Sequence, residues 1–151
     1  MPNNVFVYGT LLFPKVTKRL GIVSCDDNGK STDKLNRQSA VLSGYERFTV
    51  RYREIGNFPA IIDSDSEVTG EILLNVTDGS LKTLDRFEGI QEGYYVRKTE
   101  NVQLDHGTDS KTLTAEVYVC GDLIREKLDG PWDPDKFREN ELDWYLEHLF
   151  G

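Results

Sequence analysis

Short strand-like segments, bounded by glycine or by polar residues, recur along the chain as far as about residue 120. The first covers residues 4–8, where β-branched and aromatic side chains run directly into Gly9. The others lie near 38–44, 46–53, 58–62, 67–76, 94–104 and 113–120. Many strands with few helices favour an α+β fold: a mixed, mostly antiparallel sheet closed into a small barrel, with a few short helices and a C-terminal helix.

A short helix and a polar loop are predicted after the first strand. Residues 14–20 begin with proline, which is favoured in the first turn of a helix. Residues 24–37 are polar and predict a surface loop. Its Gly-Lys-Ser triplet does not make a phosphate-binding loop, because the glycine required five positions before Gly29 is Ser24 here.

A second predicted helix places a carboxylate at its C-terminal end. The helix can be capped by Asp78 or Ser80 and ended by Gly89. Its apolar face consists of Leu81, Leu84 and Phe87. The carboxylate, Glu88, meets the unfavourable end of the helix dipole, and partial burial would also favour its protonated form. Such a group suits proton transfer near neutral pH, although spacing alone is more typical of a solvated glutamate closing a helix.

The turn after the first strand is a second place where chemistry can occur. Residues 8–12 take a strand straight into a glycine turn, which can direct successive backbone N–H groups at one carboxylate or oxyanion. A strand followed by Gly-Thr is also an ordinary start of a loop. The pattern of this turn by itself therefore favours an ordinary start of a loop.

The pattern changes after Pro131. Residues 131–151 predict a C-terminal helix, starting at Asp133-Pro134 and packed on a domain formed by residues 1–130. Its apolar positions in a charged background are Phe137, Leu142, Trp144, Tyr145, Leu146 and Leu149. We expect this helix to pack over the barrel or to carry a partner contact.

Charge and composition exclude several classes of function. The formal net charge of -8 argues against nucleic acid binding, and Arg47, Arg51 and Arg53 form only a short basic cluster beside aromatic residues. No apolar run approaches the roughly 18 residues of a membrane span, and the N-terminus has no basic signal-peptide region. The cysteines, Cys25 and Cys120, are too few for a disulfide scaffold or a zinc site. We therefore expect a cytoplasmic protein with no metal site.

Six blocks of sequence carry a resemblance to a known family. They are Val5–Leu12, Phe58–Ala60, Val68–Ile72, Leu84–Gly89, Tyr94–Arg97 and Ala115–Val119. In order and spacing they resemble the gamma-glutamylcyclotransferase-like family over roughly residues 4–121. The chain is most similar to the avirulence-induced branch known from plants, whose members carry a helical tail with Trp-Asp near its start, as Trp132-Asp133 does here.

The resemblance implies a reaction and the residues that perform it. Family enzymes cyclise a small gamma-glutamyl compound: its α-amine attacks the γ-carbonyl and releases an amine and 5-oxoproline, with no metal or organic cofactor. The essential glutamate of the family falls at Glu88, as general acid and base. Its substrate-binding loop falls on Tyr8, Gly9, Thr10, Leu11, Leu12 and Phe13, and a pocket tyrosine falls on Tyr118.

Several points stay open on sequence alone. The main alternative is a non-catalytic module on the same fold that binds a small molecule, or a partner through the tail around Trp132 and Trp144. Only one of Tyr94 and Tyr95 can line a pocket, because neighbouring residues of a strand face opposite sides. Arg97 is expected to pair with an acidic residue. The leaving group and the oligomeric state are not specified by the sequence.

Overall fold

The computed structural model describes residues 3–51, 57–104, 111–140, 142–143 and 146–147 of the chain. The strands are β1 (Asn3–Val7), β2 (Asn36–Arg51), β3 (Asn57–Val76), β4 (Tyr95–Leu104), β5 (Lys111–Cys120) and β6 (Leu128–Pro131). The helices are α1 (Pro14–Leu20), α2 (Asp78–Phe87) and α3 (Pro134–Asn140), and two 3-10 turns cover Thr10–Leu12 and Arg125–Lys127.

Five of these strands close into a barrel. Their order is β3-β1-β5-β4-β2, and β2 pairs back with β3 to complete the ring, while β6 adds to β2 outside it. Every described pairing is antiparallel except that of β1 with β5. The fold class expected from the sequence, a mixed and mostly antiparallel barrel with few helices, is confirmed.

The one parallel pairing determines which parts of the chain meet. Val5 lies opposite Glu116 and Phe6 opposite Val117, so β1 and β5 run in the same direction. Parallel strands bring their carboxyl ends to the same edge of a sheet. The turn after β1 therefore lies beside the end of β5, where Tyr118 and Cys120 are located.

The apolar side chains form two layers. One fills the barrel and takes a nearly inaccessible residue from each strand of the ring: Phe6, Leu42, Ile72, Val102 and Val117. The other lies between the outer face of the barrel and the helices; among its buried members are Val16, Leu84, Trp132, Phe137, Leu142 and Leu146. The alternation of inward and outward residues along each strand accounts for the separation of these layers.

The segments predicted as four strands between residues 38 and 76 form two long strands instead. β2 and β3 pair continuously from Asn36 and Leu74 to Arg51 and Asn57, with a shift of register between Ser43 and Tyr45. Gly44 lies in this bulge with a φ of 89°. The predicted breaks are wrong because the irregularity leaves Gly44 on β2 and residues 64–66 on β3 unpaired while the ladder continues on both sides of it.

Two predictions about local structure also need correction. The N-cap of α2 is Thr77, whose side chain accepts a hydrogen bond from the Ser80 amide at 3.0 Å, rather than Asp78 or Ser80. The predicted surface loop 24–37 is partly internal, because Ser24 is fully buried and its hydroxyl donates to the Leu74 carbonyl. The short strand β6 has no counterpart in the sequence pattern, since four residues are too few to show a period.

The described part of the tail includes α3 and the buried residues Leu142 and Leu146. Trp144, Tyr145 and Leu149, which the sequence singled out, lie outside the described residues, as does Arg53. None of the described helices is both long and apolar enough to cross a membrane.

Candidate active site

Glu88 lies where α2 ends. Its amide donates to the Leu84 carbonyl at 2.8 Å, and Gly89 then reverses the chain with a φ of 66°. A side chain at position 89 would overlap the ring of Tyr94. Glycine meets both demands, because it adopts a left-handed conformation without strain and leaves room for the tyrosine. The helix therefore stops at a fixed point and presents Glu88 at its end.

The environment of Glu88 favours a protonated carboxyl. The side chain is half-buried, but protein atoms surround it densely enough that desolvation is the main influence, with the nearby charge of Asp85 second. Together they raise the pKa of Glu88 from 4.5 to about 8. Among the described residues, none forms a hydrogen bond or an ion pair with this carboxyl. Glu88 can therefore exchange a proton near neutral pH.

Two tyrosines lie within electrostatic range of Glu88. Tyr8 follows β1 and donates its hydroxyl hydrogen to the Tyr118 carbonyl at 2.5 Å. Tyr118 is on β5 and donates its own to Oδ1 of Asp85 at 2.8 Å. Burial is the main cause that raises the pKa of both hydroxyls; the charge of Glu88 comes second for Tyr8, and the hydrogen bond to Asp85 comes second for Tyr118, so both stay neutral. The parallel pairing of β1 and β5 thus brings Tyr8 and Tyr118 together, and the end of α2 places Glu88 within electrostatic range of both.

An ion pair completes this cluster. Arg97 on β4 donates through Nη1 to both carboxylate oxygens of Asp85, at 2.8 and 3.1 Å. The expected acidic partner of Arg97 is therefore Asp85. Sequence reasoning did not select Asp85, although it precedes Glu88 by three residues, a spacing that places two side chains on neighbouring parts of a helix surface.

The remaining predicted substrate-loop residues form the turn next to Tyr8. Thr10, Leu11 and Phe13 are buried at 7%, 3% and 5% exposure, and Gly9 lies so close to Pro59 that a side chain there would overlap the proline ring. The side chains of these residues therefore pack into the protein. The backbone amides of Gly9 and Leu11 donate to no other described residue.

Two arginines of β2 hold the carbonyl groups of this turn. Arg47 donates to the Tyr8 carbonyl at 2.7 Å, and Arg37 donates to the Leu12 carbonyl at 3.0 Å. Arg37 also pairs with Glu71 at 2.7 Å. The side chains of β2 thus satisfy carbonyl groups of this turn, whereas its Gly9 and Leu11 amides have no partner among the described residues. No sequence pattern indicates these roles, because they depend on which residues the barrel brings opposite the turn.

The other predicted residues are distributed around the cluster. Phe13 stacks on Phe137 of α3, with ring centroids 5.5 Å apart, and so anchors the loop to the tail. Leu12 is half-buried beside the same apolar layer. Tyr95 donates its hydroxyl to the Pro59 carbonyl at 2.7 Å, whereas Tyr94 packs on Gly89. No group of three or more His, Cys, Asp or Glu side chains in the described segments is placed to hold a metal ion.

Comparison with known proteins gives a consistent result. Residues 5–143 match the model of the family described as gamma-glutamyl cyclotransferase, AIG2-like. AIG2-like protein C of Arabidopsis thaliana is 36% identical over 149 residues, covering 95% of this chain and 73% of the relative. A solution structure of an Arabidopsis thaliana protein matches with a TM-score of 0.63 and 26% identity, over 97% of this chain and 87% of that one. A structure named gamma-glutamyl cyclotransferase matches with a TM-score of 0.66 over 99% of this chain and 86% of that one, and at 17% identity it supports the fold alone.

Proposed function

Because this chain belongs to the AIG2-like gamma-glutamyl cyclotransferase family, we propose that it cyclises a small gamma-glutamyl compound with Glu88 as the general acid and base. The α-amine of the substrate attacks its own γ-carbonyl carbon. The bond from that carbon to the leaving nitrogen then breaks, which yields 5-oxoproline and a free amine. Both reacting groups belong to one molecule, so the protein has only to fold and hold it.

The state of Glu88 is the observation that carries this proposal. As a carboxylate it takes a proton from the α-ammonium group, which frees the amine for attack. As a carboxylic acid it returns that proton to the leaving nitrogen. The attacking nitrogen loses a second proton as the lactam forms, and this proton also passes to the released amine, which leaves as an ammonium ion, so the protein gains and loses no net proton. A pKa of about 8 makes both forms accessible near neutral pH, whereas an ordinary glutamate would be a weak base and almost never protonated.

The turn after β1 supports the second requirement, which is stabilisation of the negative oxygen that forms on the γ-carbonyl. The amides of Gly9 and Leu11 make no hydrogen bond within the described part of the chain. Arg37 and Arg47 hold the carbonyl groups of the same turn. Prepositioned N–H donors need no rearrangement as the charge develops, which is the main advantage of such a site.

Incubation of the protein with a panel of gamma-glutamyl amines and dipeptides, followed by measurement of released 5-oxoproline, tests the proposal. We expect one class of these compounds to be cyclised. Glu88→Gln keeps the size of the side chain but cannot exchange the proton, and is expected to lower kcat by about 100-fold or more.

Glu126→Gln makes the same chemical change at an exposed residue and is expected to leave the rate unchanged. Full activity in Glu88→Gln would rule out the proposed acid and base. Binding of a gamma-glutamyl compound without any release of 5-oxoproline would instead favour the non-catalytic binding module.

A further inference from the structure

The hydroxyl hydrogens of Tyr8 and Tyr118 are both engaged in hydrogen bonds within the protein. Tyr8 donates to the Tyr118 carbonyl, and Tyr118 donates to Asp85. A tyrosine hydroxyl carries a single hydrogen, so each oxygen can otherwise only accept, and that of Tyr8 already accepts from the Ile61 backbone. The Tyr118 oxygen is therefore a hydrogen-bond acceptor where a hydroxyl donor would otherwise be expected.

Asp85 determines this arrangement for Tyr118. An ionised carboxylate is only an acceptor, so the hydroxyl facing it has to donate. Arg97 keeps the carboxylate in place through contacts to both oxygens. Asp85 and Arg97 are each about one-third exposed, at 29% and 32% of their side-chain surfaces, so solvent screens the pair only in part.

We infer that Asp85 is a positioning residue of the site: it fixes the Tyr118 hydroxyl as an acceptor beside Glu88 and places a negative charge there, which suits the site to a substrate's α-ammonium group. This inference rests on the function proposed for Glu88. An ammonium group carries three donor hydrogens and a positive charge, and it has no acceptor. The Tyr118 oxygen offers such a group a hydrogen-bond acceptor, and the Asp85 carboxylate offers it a negative charge.

The groups around Glu88 come from several elements. Asp85 lies on α2, Tyr118 on β5 and Arg97 on β4; Tyr8 follows β1 and has Cys120 of β5 within electrostatic range. The Glu92 carboxylate lies near Gly89, in the turns after α2. Burial raises the pKa of the two tyrosines and of the cysteine, so all three are neutral near pH 7. Asp85 and Arg97 are thus the oppositely charged pair, and of the two, Asp85 acts on Glu88 more strongly.

A titration of the Glu88 carboxyl carbon by NMR, in protein without substrate, tests this inference. The Glu88 signal is assigned by its loss in Glu88→Gln. Asp85→Asn removes the negative charge and replaces one acceptor oxygen with a donor, so we expect the Glu88 midpoint to fall by about one pH unit. Arg97→Met leaves the charge of Asp85 uncompensated, so we expect the midpoint to rise. Asp65→Asn, at an exposed position of β3, is the matched control and leaves it unchanged.

The two variants are expected to shift the Glu88 midpoint in opposite directions, and this separates an electrostatic role of Asp85 from a structural one. Both Asp85→Asn and Arg97→Met break the same ion pair, so if the pair only held the fold together the two midpoints would move in the same direction. That result, or no movement in Asp85→Asn, overturns the inference. In the enzyme assay, Asp85→Asn is also expected to raise KM, while Asp65→Asn does not. Since the titration needs no turnover, it remains informative if 5-oxoproline is never released and the proposed function fails.

Discussion

Glu88 makes the stability of the protein depend on pH. In the unfolded chain its carboxyl ionises near its ordinary pKa of 4.5, whereas in the folded chain it keeps its proton up to about pH 8. Between these values the unfolded state alone releases the proton, so the free energy of unfolding decreases as the pH rises, and it levels off above about pH 8. Glutamine cannot ionise. We therefore expect Glu88→Gln to be more stable than the natural protein at pH 8, by about 1–3 kcal/mol after allowance for partial exposure.

Urea unfolding at pH 4 and at pH 8 measures this effect. The two proteins are expected to be nearly equal in stability at pH 4 and to differ at pH 8. Glu126→Gln, at an exposed glutamate, is expected to show no such divergence. A stability difference that is the same at both pH values would mean that the Glu88 carboxyl is not held protonated by the fold. Increased stability together with lost turnover is the expected combination for a residue retained for reactivity.

At the scale of elements, the loop that follows β1 depends on strand β2. Arg37 connects four parts of the structure: it donates to the carbonyl groups of Leu11 and Leu12, to the Thr17 hydroxyl on α1 and to Glu71 on β3. With 18% of its side chain exposed, it lies largely out of solvent. Arg37→Met is expected to reduce the free energy of unfolding by about 2–3 kcal/mol, because partly buried acceptors lose their donor.

Arg51 on the same strand supplies the matched comparison. It also pairs with a carboxylate, that of Asp129, but 62% of each side chain is exposed. Arg51→Met is therefore expected to cost less than about 1 kcal/mol. Urea unfolding of the two variants measures the contrast. Equal losses of stability would show that the contacts of Arg37 with the loop add nothing to an ordinary surface ion pair.

Elements differ in how far the sequence alone determines them. Helix α2 could be predicted, because its apolar face and the glycine that ends it are local signals. The bounds of β2 and β3 could not be predicted, because a glycine such as Gly44 is found in bulges as well as in turns. The contacts of Arg37 and Arg47 were beyond prediction for a further reason: their partners lie 20 or more positions away along the chain.

At the scale of the whole molecule, the barrel was predictable from the number of strands, but its register was not. The proximity of Tyr8 and Tyr118 follows from the parallel pairing of β1 with β5, which no local pattern indicates, and the end of α2 places Glu88 within electrostatic range of both. Resemblance to a family pointed to those residues, and the structure supplies the physical connection between them. The role of Asp85 could not be predicted from the sequence, because only its partners in the structure distinguish it from other acidic residues on a helix.

The tail contributes to the same apolar layer as the turn after β1. Trp132 is only 6% exposed; its ring lies 5.6 Å from that of Phe137 and 5.5 Å from the guanidinium of Arg47. Phe137 in turn stacks on Phe13 of the predicted substrate loop. One layer shared by loop, barrel and tail indicates that these parts lose their structure together.

A protein in which Trp144 is replaced by phenylalanine tests this coupling, because Trp132 is then the only tryptophan. Its fluorescence reports on the tail, while far-ultraviolet circular dichroism reports mainly on the barrel. We expect the two signals to change at the same urea concentration, since two-state unfolding gives coincident transitions for different probes. A change in fluorescence at a lower urea concentration would instead show that the tail unfolds separately from the barrel. A tail of that kind would suit binding to a partner. Trp132→Ala is expected to cost about 3–5 kcal/mol and to lower the common midpoint, because it empties a site between Arg47 and Phe137.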